Sequence, residues 1–138
     1  MQLLKSRGTP ATAYVVHRHV EVNDPEVDGS YTPIIGVFLT KDEAVSVEQQ
    51  NPQAGIEWTE LPVGSLRHGD SPSMLYLGVE VGPWPEGVLV DPTPRAAFAD
   101  REAALRWAEH PGSRVSRAHA LAVPVGQLDW DGRSWNIL

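Results

Sequence analysis

Residues 34–45 read Ile34-Ile35-Gly36-Val37-Phe38-Leu39-Thr40-Lys41-Asp42-Glu43-Ala44-Val45, and this stretch decides the fold class. Its apolar beginning predicts a buried strand. Thr40 then fits the N-cap of a helix, and Glu43, three residues later, completes the capping-box pattern. Asn51-Pro52 would end that helix. The stretch therefore predicts a strand that runs directly into a helix.

Working outward, the same pattern returns further along the chain. Residues 98–105, Phe98-Ala99-Asp100-Arg101-Glu102-Ala103-Ala104-Leu105, align with residues 38–45 and place Asp100 at the cap position. Two more blocks recur in the same order: Val20-Glu21-Val22 as Val79-Glu80-Val81, and Pro62-Val63-Gly64-Ser65-Leu66 as Pro124-Val125-Gly126-Gln127-Leu128. Three ordered matches predict an internal duplication.

The flanking residues complete each predicted copy. Alternating apolar residues predict a first strand over 14–22 and its counterpart over 75–81, and final strands cover 56–63 and 116–125. The polar residues 65–73 are interpreted as a linker. We therefore expect an α+β fold: a tandem ββαβ repeat with a mainly antiparallel sheet and two helices. Its units are residues 1–66 and 67–138, packed as one pseudo-symmetric domain.

A C-terminal hairpin is expected after the second copy. Asp131-Gly132 supplies the positive φ angles of a tight turn, and residues 128–135 flank it on both sides. In this interpretation Trp130 and Trp135 face each other across the hairpin or cover the sheet. The first copy has no counterpart of this tail.

The phrase Gly36-Val37-Phe38-x-Thr40-x-x-Glu43-Ala44 after a strand resembles small bacterial and phage-borne strand-strand-helix modules of unassigned activity. The resemblance covers part of the first copy and less of the second, where Ala96 and Asp100 replace Gly36 and Thr40. It rests on a strand end and a helix cap. The resemblance therefore implies a fold and no catalytic position.

Composition excludes several classes of function. The 138 residues contain no cysteine, which excludes disulfides, thiolate zinc sites and a cysteine nucleophile. The net charge of −7 would repel a phosphate backbone, so nucleic acid is not expected as a partner. No apolar run suits a membrane span or a signal peptide, which predicts a cytoplasmic protein with no membrane partner. Residues 1–66 carry nine acids and four bases, whereas residues 67–138 carry nine and seven.

His17, His19 and Glu21 form the sharpest local group of potential ligands. They alternate along one predicted strand, so they project from one face, and two imidazoles with a carboxylate can bind zinc. Their spacing of about 6.6 Å is wide for one ion. The matching positions of the second copy carry Tyr76, Gly78 and Glu80. We therefore interpret this face as solvated and expect neither a metal nor another cofactor.

Two loop features favour a binding protein over an enzyme. Asp24, Glu26 and Asp28 crowd one loop, and Trp84 stands between two prolines in another. No nucleophile elbow or glycine-rich phosphate loop accompanies them. The leading hypothesis is a non-enzymatic binding, inhibitor-like or immunity-like protein that covers a basic site on another protein with these four residues.

Two alternatives stay open. The first is a small metal-dependent hydrolase that uses the strand face of His17, His19 and Glu21. The second is a structural subunit that completes a sheet in a larger assembly, and a homo-oligomer is compatible with either.

Overall fold

The computed structural model describes residues 10–21, 30–67, 70–81, 92–109 and 117–138, which form nine strands and two helices. The elements are β1 Pro10–Arg18, β2 Val20–Glu21, β3 Ser30–Tyr31, β4 Ile34–Phe38, α1 Lys41–Gln50, β5 Ile56–Arg67, β6 Met74–Val81, β7 Thr93–Phe98, α2 Arg101–Glu109, β8 Arg117–Pro124 and β9 Asn136–Ile137. The expected α+β class with two helices is confirmed. None of the helices in the described ranges is both long and apolar enough to span a membrane.

One seven-stranded sheet joins the two predicted units. Its order is β4-β1-β5-β7-β6-β8-β9, so β1 lies between β4 and β5, and β6 lies between β7 and β8. The pairs within each triplet are antiparallel, as is β8 with β9, whereas β5 and β7 are parallel where Val63 faces Ala97. The expected mainly antiparallel sheet is confirmed. A separate two-stranded ribbon pairs β2 with β3.

The sheet curls until its β4 edge meets the chain that follows β8. Val37 and Val125 form a parallel bridge, and the Gly126 amide donates to the Val37 carbonyl at 2.9 Å. Further along, the Asp129 amide donates to the Ile35 carbonyl at 2.8 Å. We call residues 125–138 the closing segment, because they occupy the gap between β4 and β8.

The interior of the curl holds the larger apolar core. Alternate residues point inward, so that each triplet contributes one face. Its fully buried large side chains come from both units: Val15, Ile34, Val37, Val63, Leu75, Leu77, Val79, Leu121 and Val123. A second cluster lies under α1, where Ala44 and Val47 of the helix pack on Val16 and Ile35 of the sheet. Helices thus cover the outside and strands enclose the inside.

Trp107 of α2 packs directly on Gly78 of β6. A Cβ atom built on Gly78 would lie 2.5 Å from the Trp107 ring, which is far inside van der Waals contact. Gly78 is buried and has no positive φ angle, so close approach of the indole explains the glycine at this position better than backbone freedom does. A large helix residue is therefore matched to the smallest sheet residue.

Both helix starts follow their predicted caps. The Glu43 amide donates to Thr40 Oγ1 at 3.4 Å, and the Thr40 hydroxyl donates to Glu43 Oε1 at 2.7 Å. The Glu43 side chain thus accepts a hydrogen bond from the Thr40 hydroxyl. In the usual capping box it would accept one from the Thr40 backbone amide. At α2, Asp100 Oδ1 accepts from the Glu102 amide at 3.2 Å.

Thr40→Ala should destabilise the protein by about 1 kcal/mol, because it removes the side-chain acceptor of a helix-start amide. Urea unfolding at neutral pH measures the loss. Thr40→Ser is the matched control, since it keeps the hydroxyl and should stay within about 0.5 kcal/mol of wild type. Equal losses in the two variants would show that the hydroxyl is not what stabilises the helix start.

Two predicted boundaries were wrong. The first strand begins earlier than expected, at Pro10, and breaks at His19, before the short strand Val20–Glu21. Its pairing with β4 shifts register between Val16 and His17, which interrupts the simple alternation used for prediction. The linker over 65–73 was also wrong at its start, since β5 extends to Arg67.

The predicted C-terminal hairpin was wrong. Asp131 and Gly132 do lie in a turn, and Gly132 has a φ of 64°. The residues on either side do not pair with each other, because β9 pairs with β8 and the Trp135 ring N–H donates to the Ile34 carbonyl at 2.7 Å. Trp130 lies instead at Arg18, so the two tryptophans have different partners. Because the end of the chain pairs with the sheet, it does not form the local hairpin.

Candidate functional site

The four residues predicted to contact a partner lie outside the described residues. Asp24, Glu26 and Asp28 belong to the connection between Glu21 and Ser30, which pair as the end of the β2–β3 ribbon. Trp84 belongs to the connection between β6 and β7.

β1 and β6 are the strands of the large sheet that precede these two connections. β1 is antiparallel to β5, β5 is parallel to β7, and β7 is antiparallel to β6. It follows that β1 and β6 run in the same direction. Arg18 at the end of β1 and Val81 at the end of β6 thus lie at one end of the curled sheet.

His17 lies at this end and faces β5. Its Nε2 is 3.3 Å from Thr59 Oγ1, and its cross-strand partner is Glu57. Its Nδ1 is buried without a hydrogen-bond partner in the described part of the chain. Burial lowers the pKa of His17 below its ordinary value of 6.5, while the charge of Glu57 acts in the opposite direction. His17 is therefore neutral at pH 7.

His19 and Glu21 do not form a metal site with His17. His19 lies outside β1 and half-exposed, and its Nε2 is 3.7 Å from Glu21 Oε1 at the surface. Within the ranges the structure covers, no three histidine, aspartate or glutamate side chains are placed to hold one ion. The break of β1 at His19 explains this, because the three residues no longer share one regular strand.

The described residues 30–66, which we call the acidic segment, carry five acids and one base. Asp42, Glu43 and Glu48 lie on α1, Glu57 and Glu60 lie on β5, and all five are exposed. Lys41 is the one cation of this segment. The ion pairs found among described residues all join side chains elsewhere, at Arg18, His19 and Arg95. The carboxylates of the acidic segment are therefore solvated.

The second half distributes its charge differently. Arg95 Nε lies 3.5 Å from Glu80 Oε2, and the Glu80 side chain is almost fully buried. On α2, Glu102 and Glu109 alternate with Arg101 and Arg106. Acids and bases thus balance on α2, unlike on α1.

Arg18 joins β1 to the closing segment. Its Nε donates to the Trp130 carbonyl at 2.6 Å, its guanidinium stands 5.7 Å from the Trp130 ring centre, and it lies 3.7 Å from Asp131. Sequence reasoning missed this contact. The available signal was Arg18 itself, a charged residue that interrupts an apolar strand pattern.

Asp129 organises the turn of the closing segment. Its carboxylate accepts from the amides of Asp131, Arg133 and Ser134 and from the Ser134 hydroxyl, at 2.6–3.1 Å. These hydrogen bonds lower the pKa of Asp129 from 3.8 to about 2, and the bond from the Ser134 hydroxyl contributes most. Leu128, Trp130 and Ile137, the exposed large apolar residues of the described part, all lie in this segment.

Comparison with known proteins assigns no family: no family model matches the chain, and neither the curated proteins nor the solved structures include a significant match.

Proposed function

We propose that this chain is a non-enzymatic protein-binding factor, inhibitor-like or immunity-like, that covers a basic surface of another protein. The observation that carries the proposal is the acidic segment. Its five exposed carboxylates face one lysine, and no ion pair joins them to a described cation. The connection that holds Asp24, Glu26 and Asp28 adds three acids to the same half of the chain.

Charge is the physical basis of this proposal. Close like charges destabilise a fold unless they stay solvated, and a surface that keeps them attracts a partner of opposite charge. Such complementarity mainly accelerates encounter and selects the partner. A basic protein surface fits this charge, whereas a phosphate backbone does not. Trp84 would supply an aromatic contact, since tryptophan is enriched among residues that dominate binding energy.

The hydrolase alternative has less support. A metal-dependent reaction needs ligands that converge on one ion, and His17 instead faces Thr59 while His19 pairs with Glu21. The acidic segment, by contrast, needs no further group to act. Charge therefore favours binding over catalysis.

We also infer that the chain is a duplicated ββαβ unit followed by the closing segment. In both triplets the first strand lies between the second and the third. Tyr14 faces Phe38 and Tyr76 faces Phe98, with a register shift two residues later in each pair. The first strands then correspond at an offset of sixty-two, so that His17 matches Val79. The sequence blocks alone had matched His17 with Tyr76, at an offset of fifty-nine.

Contacts between the halves support the same duplication. Val63 pairs with Ala97 in parallel, and Val125 pairs with Val37 in parallel. The proposed correspondence matches Val63 with Val125 and Ala97 with Val37, so exchanging the two halves converts one contact into the other. A pseudo-twofold axis would relate them, and an experimental structure in which the halves superpose helix on helix would test it.

Association with the partner should depend steeply on salt. A pull-down from the source lysate identifies the partner, and stopped-flow measurements then give its association rate from 20 mM to 500 mM salt. We expect the rate to fall about tenfold or more, because screening removes electrostatic steering. The triple variant Asp24→Asn, Glu26→Gln, Asp28→Asn and the double variant Glu57→Gln, Glu60→Gln should each associate more slowly at low salt and match wild type at high salt.

The matched control is Glu102→Gln with Glu109→Gln, which removes two charges from the balanced helix α2. This control should leave the association rate within about twofold of wild type, since salt screens charges that lie farther than about 10 Å from the contact surface. A partner that binds all four proteins equally fast at every salt concentration would refute the acidic contact surface.

A further inference from the structure

His17 is an imidazole whose two nitrogens have different surroundings. Nε2 lies 3.3 Å from Thr59 Oγ1, whereas Nδ1 is buried and has no partner among the described residues. In the neutral ring one nitrogen carries a proton and the other a lone pair, and the Thr59 hydroxyl can pair with Nε2 in either tautomer, by donating or by accepting. The imidazolium carries an N–H donor at both nitrogens, so Nδ1 then needs an acceptor that no described residue supplies, and an unpaired charged donor is costly when buried. The closed structure therefore disfavours the imidazolium.

The neighbouring elements offer little compensation for that charge. On β5, Glu57 is opposite His17 but exposed to solvent, and on β4 the opposite residue is Ile34. The adjacent charged residues of its own chain are Arg18 and His19, and Arg18 turns to the closing segment. Across the interior, β6 contributes the apolar Val79.

One further titratable residue belongs to this list. β8 carries His119 two residues before Leu121, and alternate strand residues share a face, so His119 points toward the same interior. His17 and His119 therefore have to be distinguished by mutation.

Two backbone hydrogen bonds continue the described ladders past the end of β1 and β4. The ladders close with the Arg18 amide on the Pro33 carbonyl at 3.3 Å and the His19 amide on the Gly55 carbonyl at 3.1 Å. The register shift between Val16 and His17 interrupts the β1–β4 ladder next to them. The closing segment is fastened at the same place, through Arg18. Loosening at His17 would consequently release three elements together.

We propose that His17 is an acid-sensitive switch whose protonation opens the end of the sheet where β1 meets β4, β5 and the closing segment, while the opposite end stays closed. The charged ring stabilises the open form, in which Nδ1–H reaches water.

Amide hydrogen exchange tests the switch. Protection factors of the Arg18 and His19 amides report on the end at His17, and those of Ala99 and Gly126, which bond Gly64 and Val37, report on the opposite end. Between pH 7.5 and pH 5.0 we expect protection at the first pair to fall about 3-fold to 30-fold. The upper value applies if the closed form does not bind the proton at all and His17 in the open form has the ordinary histidine pKa of 6.5. Protection at the second pair should change less than 2-fold.

Two variants separate the histidines. His17→Gln keeps a polar contact to Thr59 without titrating and should remove the pH-dependent loss at Arg18 and His19. His119→Gln should keep it. Loss of protection that persists in His17→Gln, or that disappears only in His119→Gln, would overturn the proposal, as would equal losses at both ends of the sheet.

NMR titration of the wild-type imidazoles decides the matter even where a variant fails to fold. The His17 ring should titrate below the ordinary histidine pKa of 6.5. A His17 midpoint at or above 6.5 would show that the closed structure accepts the proton, and would overturn the switch.

Discussion

Gly78→Val should destabilise the protein by about 3 kcal/mol, the upper part of the range for overpacked cores. The reason is the indole of Trp107, which would lie 2.5 Å from the new Cβ atom. The ring cannot retreat easily, because α2 packs on the sheet through this contact and through buried Ala104. Valine otherwise suits a strand better than glycine does, so any loss has to come from the collision.

A second substitution distinguishes collision from other causes. Trp107→Val alone should cost about 2 kcal/mol, less than a fully buried tryptophan would, since Trp107 is half-buried. Together the two valines place at this interface the residue types that Val16 and Val47 contribute to the cluster under α1. The double variant should therefore be more stable than the sum of the single losses by about 2 kcal/mol.

Far-UV circular dichroism in urea measures this cycle, because removing Trp107 alters the fluorescence signal. Single losses that simply add would show that Gly78 and Trp107 do not share the space. The proposed duplication matches Val16 with Gly78 at an offset of sixty-two and Val47 with Trp107 at an offset of sixty. The same result would therefore also weaken the duplication proposal.

Asp129→Ala should lower the free energy of unfolding at pH 7 by about 2 kcal/mol. The carboxylate accepts four hydrogen bonds within the turn of the closing segment, and bonds to a charged acceptor contribute about 1.5–3 kcal/mol. The side chain is partly exposed, so water replaces some of what is lost. Asp131→Asn is the matched control. Asp131 is largely exposed and 3.7 Å from Arg18, and its loss should cost less than about 1 kcal/mol.

The pH dependence of the same variant follows from the lowered pKa. The pKa of Asp129 is about 2 in the folded protein and 3.8 ordinarily, so the unfolded chain binds the proton more readily. Its stabilising contribution is complete above pH 3.8 and is lost as the pH falls toward 2. The stability gap between wild type and Asp129→Ala should accordingly narrow between pH 5 and pH 2.5. A gap that stays constant over this window would show that the carboxylate is not held in its charged form by the turn.

This window is separate from that of His17. Because the pKa of His17 is lowered, its neutral form stabilises the fold above pH 6.5, and the contribution decreases as the pH falls below that value. Urea unfolding of wild type and His17→Gln between pH 7 and pH 5 measures the histidine alone. The two titrations can thus be followed in one protein without overlap.

Local sequence signals determined much of the outline of this protein. The strand over Ile34–Phe38 and the caps at Thr40 and Asp100 depend on residues within four positions of one another, and all three were predicted correctly. Charge counting also needs no structure, so the acidic excess of the first half was evident at once. The sequence did not show whether an acidic side chain is exposed and unpaired, because this depends on cations supplied by other elements.

Only the tertiary structure decided the closing segment and the surroundings of His17. Asp131-Gly132 satisfied the local rule for a hairpin, but Trp135 bonds Ile34 and Arg18 bonds Trp130 across more than one hundred residues. The break of β1 at His19 likewise separated His17 from its assumed neighbours His19 and Glu21. Such contacts form because the sheet curls and brings β4 beside the end of β8, and curling is a property of all strands together that no short stretch of sequence encodes.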